Sequence, residues 1–143
     1  MIAIGGDHAS LELKAEIMAH LDERGEQYKD FGTYTRESCD YPDIAKTVCR
    51  AILSGECDKG ILICGTGIGI SITANRFKGI RAALCGDCFS AKATREHNDA
   101  NVLALGARVV GPGLACQIVD TWLDTPFSEG PRHKVRIAKI DQD

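Results

Sequence analysis

The sequence predicts a single-domain, three-layer α/β/α sandwich, Rossmann-like, built on a five-stranded parallel sheet and spanning residues 1–143. Three observations predict it. Strand-like and helix-like patterns alternate along the whole chain, as they do in successive βα units. The stretch Gly60–Cys64 is apolar on both faces, as a central parallel strand covered by helices on each side must be. A chain of 143 residues, 44% hydrophobic and 26% charged, has the size and composition of one domain with a real core. No repeat, low-complexity segment or linker divides it.

Met1–Gly5 reads as a short buried strand. Ser10–Arg24 reads as a helix, with Leu11, Leu13, Ile17, Met18 and Leu21 as its apolar stripe and Gly25 as its stop. Tyr28–Phe31 is a weak strand, and the polar stretch Gly32–Tyr41 a loop. Pro42 suits the first turn of a helix that runs to Ser54 and ends at Gly55. After the strand Gly60–Cys64 come a helix Ile68–Phe77, a strand Ile80–Cys85, a helix Phe89–His97 and a short strand Val102–Leu105. An apolar helix, Leu114–Leu123, is broken by Pro126–Pro131, and Arg132–Ile140 forms a terminal helix of about residues 132–140.

The formal net charge is -3 and the pI about 5.8, so no basic field attracts nucleic acid. The longest apolar run falls far short of the roughly 20 residues that cross a bilayer, and no basic, apolar leader precedes the first strand. No membrane association and a cytoplasmic location are expected. Seven cysteines are an odd number without a secretion signal, which points to free thiols. Cys85 and Cys88 form a CxxC, but a structural metal site takes four such ligands and no second pair is present; no metal is expected.

In folds of this class ligands bind outside the carboxyl ends of the strands, near a switch point in strand order. That rule selects Asp7 and His8, Cys64–Gly69 and Cys85–Cys88, all on one edge. The segment Cys64-Gly65-Thr66-Gly67-Ile68-Gly69 is the most informative. Its glycines let a ligand approach the main chain, and successive amides there form an anion nest. It is not a dinucleotide fingerprint, because Ile70 stands where the last glycine belongs. It is not a P-loop, because no lysine occurs between Lys59 and Lys78. A cysteine-phosphatase loop would need arginine in place of Ile70. What remains is a thiol beside an oxyanion nest, whose amides favour the thiolate as nucleophile or base; the alternative is a thiol packed in the core, which is accepted for Cys49, Cys57 and Cys116.

Arg132 and Arg136, four residues apart, project from one helical face and suit a phosphate, although a solvated basic helix end has the same spacing. Histidine is the residue type best suited to exchange protons near neutral pH, and His97 is either a proton carrier or an ordinary helix-terminal residue.

Gly6-Asp7-His8, Asp40-Tyr41-Pro42, Cys64–Gly69, Asn75-Arg76-Phe77, Arg95-Glu96-His97-Asn98-Asp99-Ala100-Asn101 and Gly106-Ala107-Arg108 occur in this order. With them the chain resembles the type B ribose-5-phosphate isomerases of the ribose/galactose-6-phosphate isomerase family, from Ile2 to about Ile140. The resemblance implies a metal-independent, cofactor-free aldose–ketose isomerase of the pentose phosphate pathway that converts ribose 5-phosphate and ribulose 5-phosphate through an enediolate. It makes Cys64 the base and His97 the residue that opens the sugar ring. The amides of Gly65, Thr66, Gly67, Ile68 and Gly69 stabilise the enediolate, with Thr66 helping to move hydroxyl protons. Asp7, His8, Tyr41, Asn98 and Arg108 match sugar or phosphate contacts, and Arg132 and Arg136 a phosphate clamp. It further implies a homodimer or homotetramer with sites shared between subunits. A six-carbon substrate such as galactose or allose 6-phosphate, or a non-catalytic sugar-phosphate-binding subunit, is the alternative. Gly6, where relatives often carry another small residue, is a departure expected to matter little.

Overall fold

A computed structural model describes residues 1–142. The order is β1 (Ile2–Gly6), α1 (Leu11–Glu23), β2 (Tyr28–Asp30), α2 (Tyr41–Leu53), β3 (Lys59–Cys64), α3 (Ile68–Ala74), β4 (Ala82–Leu84), α4 (Cys88–Asn98), β5 (Val102–Gly106), α5 (Pro112–Asp124) and α6 (Pro131–Ile140). The five strands form one sheet in the order β2-β1-β3-β5-β4, with every neighbouring pair parallel. The expected α/β architecture is the observed one.

Strand alternation divides the core into two layers. Ile2, Ile4, Ile61, Ile63, Leu103 and Leu105 face α1 and α5, where Ile17, Leu21, Ile118 and Trp122 are buried against them. Ala3, Leu62, Cys64, Val102 and Ala104 face α2 and α3, against Val48, Cys49, Ile70 and Ala74. After β1 the chain moves toward one side of the sheet, to β2, and after β3 toward the other, to β4. The loops that leave β1 and β3 therefore diverge and open a crevice at the carboxyl edge.

The differences from expectation lie at element ends. The helix after β3 stops at Ala74, short of Phe77. Asn75 explains the stop: its side-chain amide donates to the Ala82 carbonyl at 2.9 Å and its side-chain oxygen accepts the Ala82 N–H at 2.8 Å, drawing the chain into β4. β4 is shorter than Ile80–Cys85 because it is an edge strand with β5 as its single neighbour. Pro112 and Pro131 stand in the first turns of α5 and α6, so each of those helices begins earlier than its apolar pattern does. Among the described residues, no helix is long and apolar enough to cross a membrane.

Candidate active site

β3 delivers Cys64 to the carboxyl edge with its side chain 95% buried on the α2/α3 side of the sheet. The chain then doubles back, and the Gly67 N–H donates to Cys64 Sγ at 3.1 Å. Gly67 has φ +78°, and a Cβ there would lie 2.5 Å from Leu84 Cδ1 and 2.8 Å from the Leu105 carbonyl carbon, so only glycine completes this turn. Gly106 in β5 gives the loop its second point of close approach, because a Cβ there would lie 2.6 Å from the Thr66 carbonyl oxygen. The Thr66 hydroxyl accepts the Ile68 N–H at 3.2 Å. Among the described residues the amides of Gly65 and Thr66 have no acceptor and remain available to an anion.

Three other parts of the chain close on this loop. Tyr41, the first residue of α2, lays its ring against Gly69, where a Cβ would meet the ring at 2.5 Å. The Arg108 N–H donates to the Gly65 carbonyl at 2.9 Å, and its guanidinium lies over Gly65, Nη1 being 3.3 Å from where a Cβ would stand. Asp7 leaves β1 with its N–H on the Ile63 carbonyl at 3.1 Å, and its carboxylate caps the following turn by accepting the Ala9 N–H at 3.0 Å. His8 Nδ1 accepts the Cys39 N–H at 3.2 Å, so the neutral ring carries its proton on Nε2 and can donate it to a substrate oxygen. At Gly6, a Cβ would come within 2.7 Å of the Ile63 carbonyl, so the close approach of β1 and β3 here is fitted to glycine.

His97, Asn98, Arg132 and Arg136 are not with them. α4 starts beside the carboxyl end of β4 and runs back across the sheet, so His97 and Asn98 reach the opposite, amino edge. There the Asn98 carbonyl accepts from Arg81 Nε at 2.9 Å, just ahead of β4. α6 is fixed to the same edge by Asp141, whose carboxylate accepts the Gly79 N–H at 3.0 Å. Cys64 pairs with Gly106 at the far end of β5, and crossing that five-residue strand takes roughly 13–17 Å. The candidate residues therefore form two groups within one chain. One comprises Asp7, His8, Tyr41, Cys64–Gly69 and Arg108, and the other His97, Asn98, Arg132 and Arg136. Among the described residues no carboxylate pairs with Arg108, Arg132 or Arg136, so both groups carry unneutralised guanidiniums.

The remaining thiols have a different setting. Burial pushes Cys49 and Cys85 up to about 11, and raises Cys57 and Cys116 as well. Among the described residues Cys64 is the one thiol that accepts a backbone N–H. A hollow of about 300 Å³ opens beside the glycine loop, lined by Thr66, Ile68, Leu84, Gly106 and Val109. A groove of about 470 Å³ runs along α6 past Arg132, Val135 and Arg136.

A thiol held by a backbone amide, beside two backbone amides that are free to hold an anion, can exchange a proton with a bound molecule. Comparison with known proteins makes the class specific: the Ribose/Galactose Isomerase family model matches residues 2–140. The ribose-5-phosphate isomerase B of Escherichia coli is 55% identical over 139 residues, which are 97% of this chain and 93% of that one. A solved structure of the Clostridium thermocellum ribose-5-phosphate isomerase B superposes with a TM-score of 0.96 at 56% identity, covering 99% and 95% of the two chains. A protein of Pectobacterium atrosepticum named D-erythrulose-4-phosphate isomerase is 48% identical over 140 residues, 97% of this chain and 91% of its own. The chain belongs to the ribose/galactose isomerase family and is a sugar phosphate isomerase.

Proposed function

We propose that the protein interconverts ribose 5-phosphate and ribulose 5-phosphate, a step of the pentose phosphate pathway, with Cys64 as the proton-transfer base. Cys64 Sγ takes the proton from C2 of the open-chain aldose. The electron pair moves to the carbonyl oxygen and leaves a cis-enediolate. The O2 proton passes to O1, with the Thr66 hydroxyl beside the path, and the thiol returns its proton to C1. No atom is gained or lost, and no metal or cofactor is required. The free amides of Gly65 and Thr66 face the developing oxyanion, where one such donor is worth roughly 3–4 kcal/mol in the barrier. General base catalysis adds about 10²–10⁴-fold.

Ring opening is a separate proton transfer, assigned to His97, and the phosphate is assigned to His8, Arg108, Arg132 and Arg136. Asp7, Tyr41 and Asn98 hold sugar hydroxyls. Because the two groups of residues stand at opposite edges of one chain, a working site needs a second copy, and we infer a homodimer or higher homo-oligomer. Its support is the apolar surface at both edges. α6 buries none of its own residues, Val135 and Ile140 are 56% and 54% exposed, and Ile68, Ile72 and Val109 stand exposed around the glycine loop. Such patches suit a self-complementary interface.

The observation that carries the reading is the 3.1 Å contact from the Gly67 amide to a thiol that ends the central strand. The relative named for a four-carbon substrate makes the neighbouring chain lengths a second possibility. Turnover of aldose phosphates of four, five and six carbons should be compared side by side in the wild type and Cys64→Ala. The highest kcat/KM is expected on ribose 5-phosphate, with none in the variant. A preference for another chain length overturns the substrate, and near-normal turnover by Cys64→Ala overturns the base.

A further inference from the structure

The turn between α5 and α6 is bolted to the last turn of α4. Ser128 Oγ donates to the Glu96 carbonyl at 2.7 Å, and the Ser128 N–H donates to the same oxygen at 3.4 Å. Gly130 then donates its N–H to Ser128 Oγ at 3.3 Å, and α6 begins. The next side chain but two, His133, lies against the Gly130 backbone and stacks on His97, with ring centroids 4.5 Å apart and planes 13° from parallel. A Cβ at Gly130 would come 2.9 Å from His133 Cδ2, so glycine lets the ring lie flat in this place. Lys134 pairs with Glu129 at 2.8 Å and holds the turn from the outside.

We propose that His133 is a positioning residue: its ring fixes the plane of His97 and ties that imidazole to the helix that carries Arg132 and Arg136. The argument is geometric. His97 is exposed and sits in the last turn of α4, where no hydrogen bond from a described residue holds its ring. An exposed imidazole turns freely about two bonds, and a proton shuttle with that freedom spends little time aligned with the ring oxygen it must protonate. A parallel ring at stacking distance removes most of that freedom. The same helix carries Arg132 one residue before His133 and Arg136 three residues after it, so the distance from the phosphate to the ring-opening imidazole is set by one rigid piece of chain. Sugar phosphates of one length fit that spacing, which makes the stack a contributor to substrate choice as well as to rate.

The inference rests on the assignment of ring opening to His97, and the experiment separates the two. In the full-length protein, with Cys64→Ala present to block isomerisation, enzyme-catalysed exchange between the anomers of ¹³C-labelled ribose 5-phosphate reports ring opening alone. Three further variants are compared in that background: His97→Ala, His133→Ala and His133→Phe. Misalignment of a catalytic group costs up to about a hundredfold, so His133→Ala is expected to slow exchange by about ten- to hundredfold. His133→Phe, which keeps a flat ring, is expected to recover most of the rate. In a Cys64-containing enzyme, His133→Ala is expected to lower kcat on ribose 5-phosphate with KM changed less than about threefold. α6 buries no residue, and unchanged circular dichroism and melting will show that the variants are folded. Normal exchange in His97→Ala removes the underlying assignment and this inference with it. A slow His97→Ala beside a normal His133→Ala overturns the inference alone. Equal loss in His133→Ala and His133→Phe also overturns it, since the imidazole would then act by its own chemistry and not by stacking.

Discussion

The Gly67 amide points its hydrogen at Cys64 Sγ, 3.1 Å away, across a turn that no side chain at position 67 would permit. Strand, thiol, glycine and anion nest are thus one object, fixed by the backbone. Replacing Cys64 with alanine leaves that backbone in place and removes the proposed base. Isomerisation should fall by at least about 10²-fold, the lower range for general base catalysis, while binding of ribose 5-phosphate by isothermal titration stays within a few-fold of wild type. Loss of binding together with turnover would mean that the thiol serves the fold and not the proton transfer.

Gly67→Ala tests the turn itself. The new methyl meets Leu84 Cδ1 and the Leu105 carbonyl carbon at 2.5 and 2.8 Å, at a φ of +78°. Strain of this kind costs about 1–3 kcal/mol, and the loop must shift to relieve it. A lower melting temperature together with near-complete loss of activity is expected. A variant as stable and active as wild type would show that the 3.1 Å contact is dispensable.

If the two groups of residues meet only between subunits, inactive variants should rescue one another. Cys64→Ala and His97→Ala, each feeble on ribose 5-phosphate alone, are unfolded together and refolded as a mixture. Half the dimers are then hybrids, each with one intact site of two, which gives about a quarter of wild-type activity for a self-complementary dimer. Activity no greater than the sum of the parents would place Cys64 and His97 in the same chain's site.

The fold was legible because its signals are local and repeated. Gly60–Cys64 announced a buried central strand through apolar residues on both faces, and Gly25 and Gly55 marked helix ends with the positive φ that such ends need. Cys64 to Gly69 stood out because glycines at alternate positions after a strand have few other uses. The early stop of α3 was not legible, because it depends on Asn75 reaching seven residues ahead to Ala82. Which candidate residues stand at which edge of the sheet was not legible either. Periodicity says that His97 is on a helix, but the edge it reaches follows from the direction of α4 across the sheet. His133 carries no such signal between two arginines, because its partner ring, 36 positions earlier, leaves no mark on the local pattern.

Arg132 and Arg136 carry no carboxylate partner among the described residues, which leaves both free for a phosphate. A charge-assisted hydrogen bond is worth about 1.5–3 kcal/mol, so Arg136→Ala should raise KM for ribose 5-phosphate by roughly ten- to hundredfold. Melting should hardly change, because α6 contributes nothing to the core. Inorganic phosphate should inhibit the wild type competitively and the variant much less. An unaltered KM and unaltered phosphate inhibition would return Arg136 to the solvated surface.

Arg24 bridges α1 and α5, reaching Asp124 at 2.7 Å and Asp120 at 2.9 Å. The hydrogen bond from Arg24 is the main reason that the Asp124 carboxyl lies below its usual range, and Arg24 itself is pushed up, chiefly by Asp124. For a carboxylate with a depressed folded value, the stabilisation is complete above its unfolded value, near pH 4, and disappears as pH falls through the lower folded value. Asp124 is 63% exposed, so solvent and salt screen the pair, and its worth is about 0.2–1 kcal/mol. Asp124→Asn should therefore melt slightly below wild type at pH 7 in low salt, by roughly 1–4 °C for a chain of this size. The gap should narrow in 1 M salt and close as the pH falls through the lowered folded value, where the wild-type carboxylate is protonated as well. A gap that persists unchanged at low pH would assign the difference to packing between α1 and α5 and not to the charge.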